Sequence, residues 1–278
     1  TPGGLGTVYF DDIRLYTPKC IASRLKPIGD LTDDCVVDLA DVEVMAEQWL
    51  KTDTYLATQA PDDANLVGLW QFEEGAGSDV NDSSGNDYHG TAEGSYKWVA
   101  GQVGEHAIDF DGGMIVVPDE GNTPQLRPPN EVTATAWIKV SEHLNRWRFI
   151  VMKGEDDEEP YGLELNTDNS LSFIIRDAAG GLQAVDSEDA LPRNNWIHVA
   201  GTYDGNNLTS YVNGQVEVTK QVGSVTLYDD PNDALVIGGR WNGTSGRFAG
   251  IVDDVRVYNK GLSAAEIAYF ATDETGYS

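Results

Sequence analysis

The stretch Trp196-Ile197-His198-Val199-Ala200-Gly201-Thr202-Tyr203-Asp204-Gly205-Asn206-Asn207-Leu208-Thr209-Ser210-Tyr211-Val212-Asn213-Gly214-Gln215-Val216-Glu217-Val218 decides the fold. Asp-Gly and Asn-Gly are the residue pairs that two-residue hairpin turns favour, because such turns need positive φ at both central positions. Here the two pairs stand about nine residues apart, between short β-prone runs, and they imply an antiparallel meander. Working outward, Val132, Ala134, Ala136, Ile138 and Val140 fall on one face of a strand by period-two alternation. Tyr161, Leu163 and Leu165 begin another, and Asp168-Asn169-Ser170 turns it into Leu171-Ser172-Phe173-Ile174-Ile175. From Asn65 to about Tyr258 the chain repeats this pattern of short runs broken by Gly, Asn and Asp. The expectation is an all-β, two-sheet antiparallel sandwich. Only Leu262 to Phe270 reads as helix in this half, with Ser263 as N-cap and Glu266 three residues later.

The chain has 278 residues, 40% hydrophobic and 23% charged, which is the balance of a folded chain. No apolar run approaches the ~18 residues that span a bilayer. Eighteen basic residues against 46 acidic ones give a formal net charge of −28. That field repels nucleic acid and anionic membranes. It is compatible with neutral ligands and divalent cations, and equally with a plain acidic surface. The sequence opens on TPGGLG, with no targeting segment, as expected of a processed or excised piece. Cys20 and Cys35 lack the further soft ligands of a zinc site and the neighbouring base of a catalytic thiol. They read either as a disulfide, which implies an oxidising compartment, or as two unpaired thiols.

Composition divides the chain into residues 1–19, 20–51, 52–63 and 64–274. Asp11-Asp12-Ile13-Arg14-Leu15-Tyr16 echoes Asp253-Asp254-Val255-Arg256-Val257-Tyr258. The second copy closes the sandwich, so residues 1–19 are expected to be the terminal strand of a preceding module. Residues 52–63 are polar, contain Pro61 and read as a linker.

Between them, Asp30-Leu31-Thr32-Asp33-Asp34-Cys35-Val36-Val37-Asp38-Leu39-Ala40-Asp41 carries oxygen side chains at positions 1, 3, 5, 9 and 12, the spacing of a calcium loop. A helix from Leu39 to Leu50 follows, with Leu39, Val42, Met45, Ala46, Trp49 and Leu50 on one face. The stretch resembles one half of a dockerin repeat. The resemblance implies Ca2+ held by Asp30, Thr32, Asp34, the Val36 carbonyl, Asp38 and Asp41. Position 6, usually Gly, is Cys35, and there is one loop rather than two, so the expectation is a calcium-stapled spacer.

A second resemblance is carried by an ordered set of segments: Leu66 through Gly75 with Trp70-Gln71-Phe72-Glu73-Glu74, Asp82-Ser83-Ser84-Gly85-Asn86-Asp87-Tyr88-His89-Gly90, Ala107-Ile108-Asp109-Phe110-Asp111-Gly112, Ala136-Trp137-Ile138-Lys139, Trp196 through Gly205, Tyr211-Val212-Asn213-Gly214, and Phe248 through Tyr258 with Leu262-Ser263 behind. Together they resemble a LamG-like jelly roll of the concanavalin A-like superfamily, over about residues 64–272. The resemblance implies extracellular placement and carbohydrate or protein binding. It also implies a calcium near the loop after the first strand, for which Asp82 and Asn86, with Asp253 or Asp254, are candidates. For Asp253 the alternatives are Arg256 or a backbone amide.

The same superfamily contains glucanases, which place carboxylates as E-x-D-x-E on one strand, with two carboxyl groups ~5 Å apart in retaining enzymes. Glu155-Asp156-Asp157-Glu158-Glu159 has that spelling. On a strand the intervening residues would face the core, yet Asp156 and Glu158 are charged and Pro160 follows. This reads as a solvated acidic loop, and the chain as no enzyme. The histidines, His89, His106, His143 and His198, accompany no nucleophile motif, and His198 reads as structural.

Trp70, Trp98, Trp137 and Trp196 fall where the family pattern has core aromatics. Trp147, and Trp241 between Arg240 and Asn242, stand off that pattern in polar turns. Each is open to two readings, packing or stacking on a sugar face; Trp241 is the stronger candidate for stacking. The expected function is a non-catalytic carbohydrate-binding module of a secreted bacterial multimodular protein, with a polysaccharide or glycan and the other modules of its own chain as partners. The alternative is a structural or adhesive cell-surface module that binds protein.

Overall fold

The Asn213-Gly214 pair takes the backbone its residue types permit, with φ of 50° and 76°. It joins β13 (Asn207–Val212) to β14 (Gln215–Gln221). At the other turn the Asp204 carboxylate accepts the amides of Asn206 at 2.9 Å and Asn207 at 2.6 Å. It thereby ties β12 (Ile197–Tyr203) to β13. The meander is therefore present, and the rest of the sandwich is built on it. The protein is seen here as a computed structural model that describes residues 37–41, 58–119, 124–155, 158–229, 231, 233–241 and 246–272. The chain divides into two compact units, Thr1–Tyr55 and Leu56–Ser278.

The described residues of the second unit form two antiparallel sheets of eight strands each. The first runs in the order β14, β13, β12, β7 (Val132–Val140), β16 (Ala249–Tyr258), β5 (His106–Asp111) and β4 (Tyr96–Ala100). β1 (Leu66–Trp70) joins it by pairing with the last residues of β16. The second runs β11 (Leu182–Ala190), β10 (Ser170–Arg176), β9 (Tyr161–Leu165), β8 (Arg148–Lys153) and β15 (Leu235–Ile237), then β6 (Met114–Val117), β3 (Gly90–Glu93) and β2 (Asp79–Val80).

The alternating set of β7 lies in the core between the sheets, with Val132, Ala134, Ala136, Ile138 and Val140 all buried. Its opposite face is covered too. α1 (Ala264–Ala271) lies over it, and Ile267 and Phe270 pack with Ala200, Tyr211, Tyr258 and Leu262. The Ser263 hydroxyl accepts the Glu266 amide and the Glu266 carboxylate accepts the Ser263 amide, the reciprocal cap expected from the sequence. His198 is buried in this layer, edge-on to Trp137 at 5.5 Å. Trp70 and Trp137 are core residues and Trp98 packs against the core. Trp196 departs from its expected role: it is only partly buried, just before β12.

The end of the stretch read as linker belongs to the second unit. The Gln59 amide donates to the Ala265 carbonyl at 3.0 Å, and Asp62 caps a short 3-10 turn at Asp63–Asn65. In the first unit the described residues are few. The chain is helical at Leu39, Ala40 and Asp41. Asp38 accepts the Ala40 amide, and Asp41 accepts the Asp38 amide, each at 2.8 Å. Residues 1–19, Cys20, Cys35, Asp30, Thr32, Asp34, Val36 and the remainder of the expected helix, Trp49 included, lie outside the described residues.

Candidate functional site

Strand β8 shows how the second sheet makes an outer surface with its own apolar floor. The register against β9 slips between Phe149 and Val151, so Ile150 and Val151 both enter the core. That slip turns Phe149 and Met152, three residues apart, to the same outer face, where they cluster with Ile174 of β10 and Ala184 of β11. Opposite Met152 on β9 is Gly162. A Cβ there would lie 2.5 Å from the Met152 Cε, so the missing side chain is the space Met152 occupies.

This floor underlies a groove of about 210 Å3. Its apolar lining is Phe149, Met152, Ile174 and Leu182, with Trp147 at the mouth, half of its surface exposed (49%). Its polar lining is Glu155, Glu159, Glu164, Arg176 and Arg240. Phe149, Met152, Glu164, Ile174, Arg176 and Leu182 come from four adjacent strands, three spacings of about 4.8 Å, so the groove crosses about 14 Å of sheet, while Trp147, Glu155, Glu159 and Arg240 join it from the flanking loops.

The charges of the groove are tied to the protein. The Arg176 guanidinium donates to Glu159 Oε1 at 2.8 Å and to the Gly180 carbonyl at 3.1 Å. The Arg240 guanidinium lies over the Phe149 ring, 5.3 Å from its centre. Glu155 and Glu164 have partners within the protein as well. Glu159 is buried, which corrects the reading of residues 155–159 as a wholly solvated loop. Its charge is tolerated because Arg176 neutralises it.

The predicted sugar-contact residues separate. Trp147 and Arg240 meet in the groove. Trp241 instead packs, partly buried, on the small cluster of Val116, Ala234 and Val236. Asn242 lies outside the described residues. Sequence reasoning missed Phe149, Met152, Ile174, Arg176 and Leu182. The signal was there: Phe149-Ile150-Val151-Met152 and Phe173-Ile174-Ile175 are apolar at successive positions, too apolar for strands with one wet face.

The carboxylates expected to hold a second calcium engage backbone amides. Asp82 Oδ1 accepts the amides of Leu69 and Ser84, each at 2.9 Å, and Oδ2 accepts the Ser84 hydroxyl and the Tyr88 amide. Asn86 donates to the carbonyls of Leu66 and Val67. Asp253 is fully buried on β16, and its Oδ2 accepts the amides of Gln102 at 2.7 Å and Val103 at 2.9 Å. Burial pushes its pKa up to about 7. Asp254, at φ 44°, makes the bulge of β16 and pairs with Arg256 at 2.9 and 3.0 Å. Among the described residues, Glu155, Glu158 and Asp233 bring carboxylate oxygens within 4.8 Å of one another, the spacing a hard cation accepts. No helix among the described residues is long and apolar enough to cross a membrane.

A family profile described as the concanavalin A-like lectin/glucanases superfamily matches residues 111–268, more than half of the chain. No curated protein matches it. Several solved structures share the fold. The binding domain of Paraclostridial Mosquitocidal Protein 1 is 18% identical with a TM-score of 0.62, over 76% of this chain and 53% of that one. Domain 4 of AbnA, an extracellular arabinanase of family GH43 from Geobacillus stearothermophilus solved with arabinotriose, is 19% identical with a TM-score of 0.59, over 75% and 98%. The receptor binding domain of a botulinum neurotoxin C/D mosaic serotype is 17% identical with a TM-score of 0.59, over 76% and 51%. The chain thus spans about half the length of the two toxin domains and matches nearly all of the arabinanase domain.

Proposed function

Because the chain belongs to the concanavalin A-like lectin/glucanase superfamily, whose members share a fold and not a ligand, we propose its function from the groove: a non-catalytic glycan-binding module. One observation carries the reading. An exposed Trp147 lines one open groove together with an apolar floor of Phe149, Met152 and Ile174 and with fixed polar groups. A pyranose or furanose ring presents an apolar face to such an aromatic and hydroxyls to its polar neighbours. The arabinanase domain, solved in complex with arabinotriose, supports the same class of ligand.

The reading is binding rather than hydrolysis, because the buried carboxylate of the groove, Glu159, is held by the Arg176 guanidinium at 2.8 Å instead of being presented to a ligand. Incubation with oligosaccharides should therefore release no new reducing ends. We further propose secretion within a multimodular protein, and calcium at residues 30–41, which the aspartate spacing supports.

The test is a glycan array run with calcium and again with chelator, followed by calorimetry of Trp147→Ala against the selected oligosaccharide. Loss of the stacking face should weaken binding by about 1–3 kcal/mol with an unchanged melt. Undiminished affinity in that variant would remove the groove as the site.

A further inference from the structure

We infer that the groove selects uncharged glycans and turns away acidic ones, an inference that rests on reading the groove as the glycan site. A protein that recognises a uronate or a sulfated sugar presents a guanidinium whose planar fork is open to the ligand. Among the described residues the groove is lined by two guanidinium groups, and neither is open in that way. The two terminal nitrogens of Arg176 go to Glu159 and to the Gly180 carbonyl. Arg240 lies on the face of Phe149, and it too has a further protein partner.

An anionic sugar would have to take Arg176 from Glu159, leaving a buried carboxylate unmatched beside a second negative charge. Among the described lining residues, three carboxylates against two guanidinium groups also leave a formal charge of −1, in a chain of net −28. Like charge suppresses encounter as well as affinity. Cationic sugars are disfavoured for the complementary reason. Glu159 is paired to Arg176, and Glu155 and Glu164 already have protein partners. What the groove offers to a ligand is the exposed face of Trp147 and the apolar floor, together with the lone pairs and N–H groups that its internal pairs leave over. Those suit hydroxyls.

The experiment is calorimetry of the full chain against short neutral oligosaccharides from arabinan, xylan and β-glucan, against trigalacturonate and against deacetylated chitotriose, at low and at high salt. A neutral probe should bind with an affinity that salt changes less than about twofold. Trigalacturonate and chitotriose should each be weaker by about tenfold or more. Glu159→Gln is nearly isosteric and frees Arg176 from its ionic partner, so this variant should gain at least about tenfold for trigalacturonate. If a thermal melt shows that variant unfolded, Glu155→Gln at the groove's edge lowers the same local charge and should show a smaller gain.

Wild-type binding of trigalacturonate as tight as the best neutral probe, and lost in Trp147→Ala, would overturn the selectivity. So would tight chitotriose binding that high salt weakens. If no probe responds to Trp147→Ala, the glycan reading itself fails, which is a different result from acidic and neutral probes responding alike.

Discussion

Gly162 shows how one absent side chain shapes the groove. On a strand a glycine costs stability, because it orders a flexible backbone and packs nothing. Here its empty Cβ position is filled from across the ladder by the end of Met152, with Ile174 at 3.2 Å. A Gly162→Val variant should push the flexible methionine outward and make the groove shallower. The expected result is a loss of oligosaccharide affinity of about tenfold, with stability changed by about 1 kcal/mol or less, since valine favours strand while methionine can rotate away. Calorimetry and a thermal melt of the same protein check this. A loss of several kcal/mol in stability with unaltered binding would mean that the Met152 floor is core and not contact surface. The two off-pattern tryptophans teach a related lesson. Both stand in polar turns in the sequence, and only the fold tells them apart: Trp241 finds an apolar cluster beneath it and Trp147 finds an open groove.

At the scale of elements, what was legible is what local rules govern. The Asn213-Gly214 and Asp204-Gly205 turns, the inward face of β7 and the capping box at Ser263 depend on neighbours in sequence, and each is where the residue types put it. The groove floor was legible only in part: the apolar run Phe149-Ile150-Val151-Met152 signals that β8 has two covered faces, but which of its residues turn outward depends on a register slip that the run does not announce. Trp196 was assigned by family position to a core that it only partly enters. The two hairpin glycines allow the contribution of a tertiary contact to be separated from that of a turn. Both have positive φ, 86° at Gly205 and 76° at Gly214. A Cβ at Gly205 would meet nothing nearer than 3.7 Å, whereas one at Gly214 would lie 2.9 Å from the Ala268 Cα on the backbone of α1. Gly205→Ala should therefore cost only the left-handed backbone, about 1–2 kcal/mol. Gly214→Ala should cost that plus about 1–3 kcal/mol of overpacking, because a helix backbone cannot swing aside as a side chain can. Denaturant melts of the pair give the difference directly, and equal losses would show that the hairpin does not bear on α1.

For the whole molecule, two buried groups set opposing dependences on pH. His198 is buried against Trp137 and Phe270, and desolvation, with the nearby Arg256 charge, lowers its pKa from 6.5 to about 3. It stays neutral in the folded chain, while in the unfolded chain it takes a proton below about 6.5. Its contribution is present above pH 6.5 and is lost as pH falls toward 3. Asp253 runs the other way. Desolvation raises its folded pKa from 3.8 to about 7, against the two amides that favour its charge. Its contribution is present below pH 3.8 and is lost as pH rises toward 7. Between about pH 4 and 6.5 the folded chain thus holds one proton more at Asp253 and one fewer at His198, relative to the unfolded chain. Each slope is about 1.4 kcal/mol per pH unit, with opposite sign, so their sum is nearly flat. Removing either group should expose the other. Asp253→Asn keeps a carbonyl oxygen for the Gln102 and Val103 amides, and its stability should climb steeply with pH from about 4 to 6.5. His198→Phe suits an aromatic layer in which the histidine Nδ1 has no hydrogen bond, and its stability should fall with pH from about 4 to 7. Acidic groups with lowered pKa, such as Asp168, Asp204 and Glu266, act on all three proteins alike and drop out of the comparison. Urea melts of the parent and both variants at half-unit steps of pH would show a shallow curve flanked by two of opposite slope. Two variant curves that run parallel to the parent would mean that neither buried group titrates where its surroundings place it.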